Sequence, residues 1–184
     1  MSDLLRIRNL EKHYEGFDLQ NVNIDVPAGS VVGFVGSNGA GKTTTIKATL
    51  GLVRPDGGSI ALFGEEVTGA PSKRLAELKQ RIGVVFDTCS FPDELSVETV
   101  GKLMAQCYRS WNSAAFHTFA KAFELPLDKT VKDLSRGMGM KLSLICALSH
   151  NPDLLVLDEA TAGLDPLARE QALDALRLFM NEPK

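Results

Sequence analysis

The run Gly36-Ser37-Asn38-Gly39-Ala40-Gly41-Lys42-Thr43 fills the pattern GxxxxGK[ST] and stands between a short valine-rich segment and a helical pattern. Few short motifs constrain a chain as tightly. Glycines at 36, 39 and 41 let the backbone approach an anion with no side chain in the way. Successive N–H groups and the start of the following helix then present partial positive charge to phosphate oxygens. Lys42 suits the β- and γ-phosphates of a nucleoside triphosphate, and the Thr43 hydroxyl suits Mg2+. A glycine-rich turn that merely contains Lys-Thr is the alternative, and the expected strand before the run and helix after it argue against that.

The surrounding pattern predicts where the loop sits. Leu5 and Ile7, then Val22, Ile24 and Val26, each fall on one face of an extended segment, and Pro27-Ala28-Gly29 reads as a turn. Residues 30–35 form a continuous apolar run typical of a strand buried on both faces. Residues 42–50 read as a helix stopped by Gly51, Pro55-Asp56-Gly57-Gly58 as a turn, and 59–63 as a strand. Further helices are predicted over 73–80, 97–107, 114–123, 138–148 and 167–180, with buried strands at 82–86 and 154–157. The order is an antiparallel β start, a loop-bearing αβ unit, an all-helical insertion and a return to the sheet, which makes an α/β fold.

Composition narrows the class by exclusion. With 44% hydrophobic residues the chain can bury one substantial core, and a net charge of −3 is not that of a nucleic-acid binder. Cys89, Cys107 and Cys146 lie far apart without a CxxC pair and read as free thiols of a reducing compartment. The N-terminal residues carry no signal-peptide core, and no apolar stretch has the length of a membrane span.

A second half-site follows from Leu154-Leu155-Val156-Leu157-Asp158-Glu159, an apolar strand ending in two acids. Ligands of parallel α/β sheets bind at that end of the strands. Asp158 there suits Mg2+, and Glu159 suits orientation or deprotonation of an attacking water. An ordinary helix cap is the plainer alternative.

Taken in order, GSNGAGKTT, LSRGM ahead of a helix, and LLVLDEATAGLD resemble the ATP-binding cassette over essentially the whole chain. The resemblance implies a P-loop NTPase core with a mixed sheet, an N-terminal antiparallel β subdomain and an inserted α-helical subdomain. It implies one cassette domain over 1–184, with 1–86 and 151–184 as core and 87–150 as helical lobe. ATP and Mg2+ are the implied ligands, and the loop contacts extend to Thr44. Ser135 is a good N-cap and Gly137 lets a ligand approach the helix start. In the family, that helix start meets the γ-phosphate held by the opposite subunit, so two copies pair head to tail. Tyr14 resembles the aromatic that stacks on adenine, although a plain strand-end tyrosine remains open. Gly163-Leu164-Asp165 resembles the loop that links the two sites of a pair.

Four positions depart from the pattern. Asp87 stands where a glutamine ligates Mg2+; it is carried as a metal-side residue, with a strand-end turn residue as the alternative. Arg136 and Met138 replace a glycine and a glutamine of the signature, and Ala160 replaces a proline. The family also carries a histidine beyond one more strand, whereas His13, His117 and His150 all precede Glu159. The chain is therefore expected to be truncated, to bind ATP and to hydrolyse it poorly.

Tyr108-Arg109-Ser110-Trp111-Asn112, with the later LSRGMGMKLSL, is similar to bacterial export ATPases whose permease is a separate polypeptide, though Trp111 reads equally well as a core aromatic. The implied partners are a second cassette and an integral-membrane permease, with no nucleic acid. The implied location is the cytoplasmic face of the cell membrane. The permease is expected to dock around 87–95. A cassette of DNA maintenance would show coiled-coil heptads, a translation cassette two tandem domains, and a kinase no LSRG. An ATP-dependent switch with little hydrolysis remains the alternative function.

Overall fold

In the computed structural model, which describes residues 3–160 and 164–181, the alternating N-terminal pattern becomes two antiparallel strands, β1 (Asp3–Tyr14) and β2 (Phe17–Pro27). Leu5 pairs with Val26, Ile7 with Ile24 and Leu10 with Val22. The step from Ile7 to Leu10 breaks the period of two, and the register shifts there beside Asn9, at φ 46°. A bulge of this kind inserts one residue and returns the next apolar side chain to the buried face; Ile7 and Leu10 are both buried. A second shift, beside Asn21 at φ 53°, sets Lys12 opposite Leu19 and Tyr14 opposite Phe17. β3 (Gly57–Leu62) and the short β4 (Glu65–Glu66) complete a sheet of order β2-β1-β3-β4.

The chain divides into two compact units, Met1–Lys79 and Gln80–Lys184. In the first, α1 (Lys42–Thr49) follows the glycine-rich loop. Thr45 and Thr49 are buried and satisfy their hydroxyls on the carbonyls of Gly41 and Thr45, at 3.0 and 2.9 Å. The helix ends as its sequence predicts. Gly51 takes φ 64°, its N–H donates to the Ala48 carbonyl, and the Leu52 N–H donates to that of Lys47, which closes a Schellman motif. α2 (Ser72–Lys79) finishes the unit.

One expectation fails here. Residues 30–35 form no strand, and Val31 and Val35 are 80% and 91% exposed. The segment leaves β2 through a turn in which the Ser30 hydroxyl donates to the Pro27 carbonyl at 2.6 Å, then runs on outside the four-stranded ladder. An apolar run supplies β propensity, but a strand exists only where a neighbour exchanges hydrogen bonds with it.

In the second unit, β5 (Ile82–Val85) and β6 (Leu154–Leu157) pair in parallel, Ile82 with Leu154 through Val85 with Leu157. Between them lie α3 (Val97–Cys107), α4 (Ser113–Ala122), a 3-10 turn at Val131–Asp133 and α5 (Arg136–Leu148); α6 (Pro166–Asn181) follows β6. α5 is buried from Gly139 to Leu148 except at Lys141, so it is the spine of this unit. It lies so close on β5 that a methyl at Gly83 would stand 2.7 Å from the Ala147 carbonyl oxygen. Lys141 reaches out to the Phe123 carbonyl at 3.1 Å and so caps the end of α4. Both an antiparallel sheet and a parallel pair are thus present, as the α/β reading requires. Gly163 of the Gly163-Leu164-Asp165 run lies outside the described residues, as do 182–184 of the tail.

Candidate nucleotide site

The phosphate loop is built by a turn and a glycine. The Ala40 N–H donates to the Ser37 carbonyl at 3.1 Å, with Asn38 and Gly39 (φ 83°) forming the exposed turn. Gly41 caps α1 at φ 92°, a conformation that a side chain makes costly. The Lys42 ammonium folds back to donate to the Gly36 and Ser37 carbonyls at 2.8 and 3.0 Å, which places a full positive charge against the loop. The head of α1 has no side-chain cap and no acid in its first turn. A helix start left in this state favours an anion, so the residues present fit a phosphate group. Thr43 and Thr44 follow in the first turn of α1.

Tyr14 closes β1, 45% exposed, at the tip of the hairpin. Its ring lies 6.3 Å from that of Phe17, at 30°, and the Lys12 ammonium stands 5.4 Å from its centroid. Lys12 is itself held by Asp56 at 2.9 Å, and the His13 N–H donates to the same carboxylate at 2.8 Å. That backbone bond first, and Lys12 second, hold the Asp56 carboxyl below its ordinary range. Phe17 and Lys12 were not among the residues picked from the sequence. A signal for Phe17 existed, since a two-residue Glu15-Gly16 turn sets it directly across from Tyr14.

In the second unit, the C-terminal ends of β5 and β6 are side by side, Val85 opposite Leu157; Asp158 and Glu159 follow β6 directly, and Asp87 lies two residues beyond β5. The Asp158 N–H donates to the Val85 carbonyl at 2.8 Å, and its side chain is buried to 5% exposure. Glu159 then turns at φ 50° and is exposed. A non-glycine residue in this left-handed region is a strained turn of the kind found at functional sites. Among the described residues no three His, Cys, Asp or Glu side chains converge as a metal cluster. A Mg2+ that arrives with a nucleotide needs only one or two protein carboxylates, so the oxygen donors present still fit it.

The start of α5 matches its predicted role as a capped helix. The Ser135 hydroxyl accepts from the Met138 N–H at 3.2 Å. At Gly137 a methyl would meet only Leu164 Cδ2, at an ordinary 3.7 Å. The chain's own packing therefore does not demand a glycine there. Gly139 is different: a methyl would press to 2.9 Å from Cys89 Cβ, so α5 rests tightly on the loop after β5. Asp165 caps α6, its carboxylate accepting from the Ala168 N–H at 2.9 Å.

A family model described as ABC transporter matches residues 19–162. The chain belongs to the ABC transporter family. A Burkholderia lata protein named Nod factor export ATP-binding protein I is 40% identical over 186 residues, covering 96% of this chain. A Rhodopseudomonas palustris protein named for phosphonates import is 35% identical over 92% of the chain. The chain spans 59% of the length of the first and 66% of the second. Among solved structures, the ATP-binding subunit of an ABC transporter superposes with a TM-score of 0.84 at 29% identity, covering 96% of this chain and 75% of that one.

The export-like run Tyr108–Asn112 has a packing role. Tyr108 stacks on His150 with centroids 3.9 Å apart, Trp111 meets Phe116 at 5.5 Å, and Asn112 caps α4 through Ala115. Burial pushes the Tyr108 phenol up.

Proposed function

We propose that this chain is the ATP-binding and ATP-hydrolysing subunit of a transporter that exports its substrate through a separate membrane permease. The observation that carries the reading is the phosphate loop: an ammonium held against its carbonyls at the uncapped, acid-free head of a helix. Residues 36–44 then cradle the triphosphate, and Lys42 exchanges the Gly36 and Ser37 carbonyls for the β- and γ-oxygens. Tyr14 offers its exposed face to the base. Thr43 and Asp158 supply oxygen donors for Mg2+, with Asp87 as a further carboxylate. When bound, the cation neutralises charge on the phosphates. Glu159 orients the attacking water and takes its proton.

Ser135 and Gly137 serve a second copy, the two pairing head to tail so that each α5 start meets the γ-phosphate held by the other. That a methyl at Gly137 would meet only Leu164, at an ordinary 3.7 Å, supports this. Residues 87–150 act as the helical lobe of a core formed by 1–86 and 151–184, and the loop at 87–95 receives the permease. That partner holds the chain at the cytoplasmic face of the membrane; among the described residues no helix is long and apolar enough to cross it. Export is favoured by the 40% identical relative named for it, against the 35% identical one named for import.

Glu159→Gln separates hydrolysis from switching. A working ATPase should retain ATP in this variant and accumulate as a dimer by size-exclusion chromatography. If the variant and the parent chain behave alike, the hydrolytic role is wrong and the switch reading takes its place.

A further inference from the structure

Phe17 touches both ends of the nucleotide site within the first unit. Its ring faces Tyr14 directly across the hairpin, centroids 6.3 Å apart at 30°. A methyl at Gly41 would lie 3.0 Å from Phe17 Cζ and 2.4 Å from Cδ1 of Leu19, two residues further along β2. The residue that caps α1 is therefore seated on the same sheet face that carries Tyr14. Leu19 is buried and Phe17 half-buried, whereas Tyr14 is exposed. Lys12, held by Asp56, braces the Tyr14 ring from along the strand. The exposed ring and the phosphate loop are remote in sequence, and Phe17 is a side chain in contact with both.

We propose that Phe17 is a positioning residue that fixes the offset between the Tyr14 ring and the phosphate loop, so that base and triphosphate of one nucleotide are bound as a single rigid ligand. The inference rests on the nucleotide reading above. Its physical basis is preorganisation: a ring already held at the correct distance loses less freedom when a base lands on it. Leu19 also lies against Gly41, but its strand partner is Lys12, whereas that of Phe17 is Tyr14.

The experiment uses the whole 184-residue chain and two probes, Mg·ATP and Mg·tripolyphosphate, the second lacking base and ribose. An aromatic pair is worth about two- to tenfold in affinity. Phe17→Ala should weaken ATP binding by that factor while changing tripolyphosphate binding by less than about twofold. Phe17→Tyr should restore the parent ratio, and Tyr14→Ala should show the same selective loss. If Phe17→Ala melts at room temperature, Phe17→Leu, which keeps bulk against Gly41 without a ring, decides the matter in the same two titrations. Equal losses on both probes, or an unchanged ATP affinity, would overturn the role of Phe17 alone. A parent chain that binds neither probe would overturn the nucleotide reading itself, and this proposal with it.

Discussion

Lys42 and Gly137 illustrate how a single residue can matter to the ligand and little to the fold. The Lys42 ammonium bonds to two exposed carbonyls of its own loop, contacts that water replaces at small cost. Lys42→Ala should leave the melting transition nearly unchanged yet weaken ATP binding by about ten- to a hundredfold, the usual worth of a charge-assisted phosphate contact. Calorimetric titration beside thermal melting checks both halves. At Gly137, in the first turn of α5, alanine meets only a 3.7 Å contact with Leu164. Because alanine is the better helix former by about 0.5–1 kcal/mol, Gly137→Ala should hold or raise stability while reducing ATP-dependent dimerisation. Denaturant titration and sedimentation of the same sample measure the two effects, and a loss of stability instead would mean that the glycine serves packing.

At the scale of elements, α3 and α4 are joined by a titratable pair. His117 sits 2.9 Å from the Glu98 carboxylate through one ring nitrogen and 2.8 Å from the Ser113 carbonyl through the other. A neutral imidazole donates once, an imidazolium twice. The bond to Glu98 is the main cause that raises the His117 pKa above 6.5, and the bond to His117 is the main cause that lowers that of Glu98 below 4.5. A raised histidine contributes stability that is complete below its unfolded value and fades as pH rises through the folded one. The lowered carboxylate contributes above its unfolded value and fades as pH falls through the folded one. The stability difference between the parent chain and His117→Gln should therefore peak in the mildly acidic range and shrink on either side. Denaturant unfolding across pH tests this, and a flat difference would show the pair to be idle. The helices themselves, with the strands at 82–85 and 154–157, stand close to where apolar periodicity put them. Their patterns are local properties of the chain. The segment 30–35 does not, because its strand character depends on neighbours that local sequence cannot supply.

For the molecule as a whole, the thiols report how firmly the second unit is closed. Cys107 is exposed and Cys146 is buried on α5, where burial foremost, and the nearby Cys89 second, push its thiol up. A thiol reagent should modify Cys107 of the native chain within minutes and Cys146 only at the rate of global opening. Mass spectrometry over time would resolve the two, and prompt labelling of Cys146 would mean that α5 opens locally. The amino-acid sequence alone determined the phosphate loop, the acidic end of β6, the capped start of α5 and the family. Each of these is a run of adjacent residues whose chemistry travels with the chain. Tertiary structure alone decided that Phe17 links Tyr14 to Gly41, that Trp111 and Asn112 pack and cap, that Asp165 caps α6, and that 30–35 stays unpaired. Those outcomes depend on which distant residue lies opposite, and that is set by bulges, strand register and packing rather than by any local pattern.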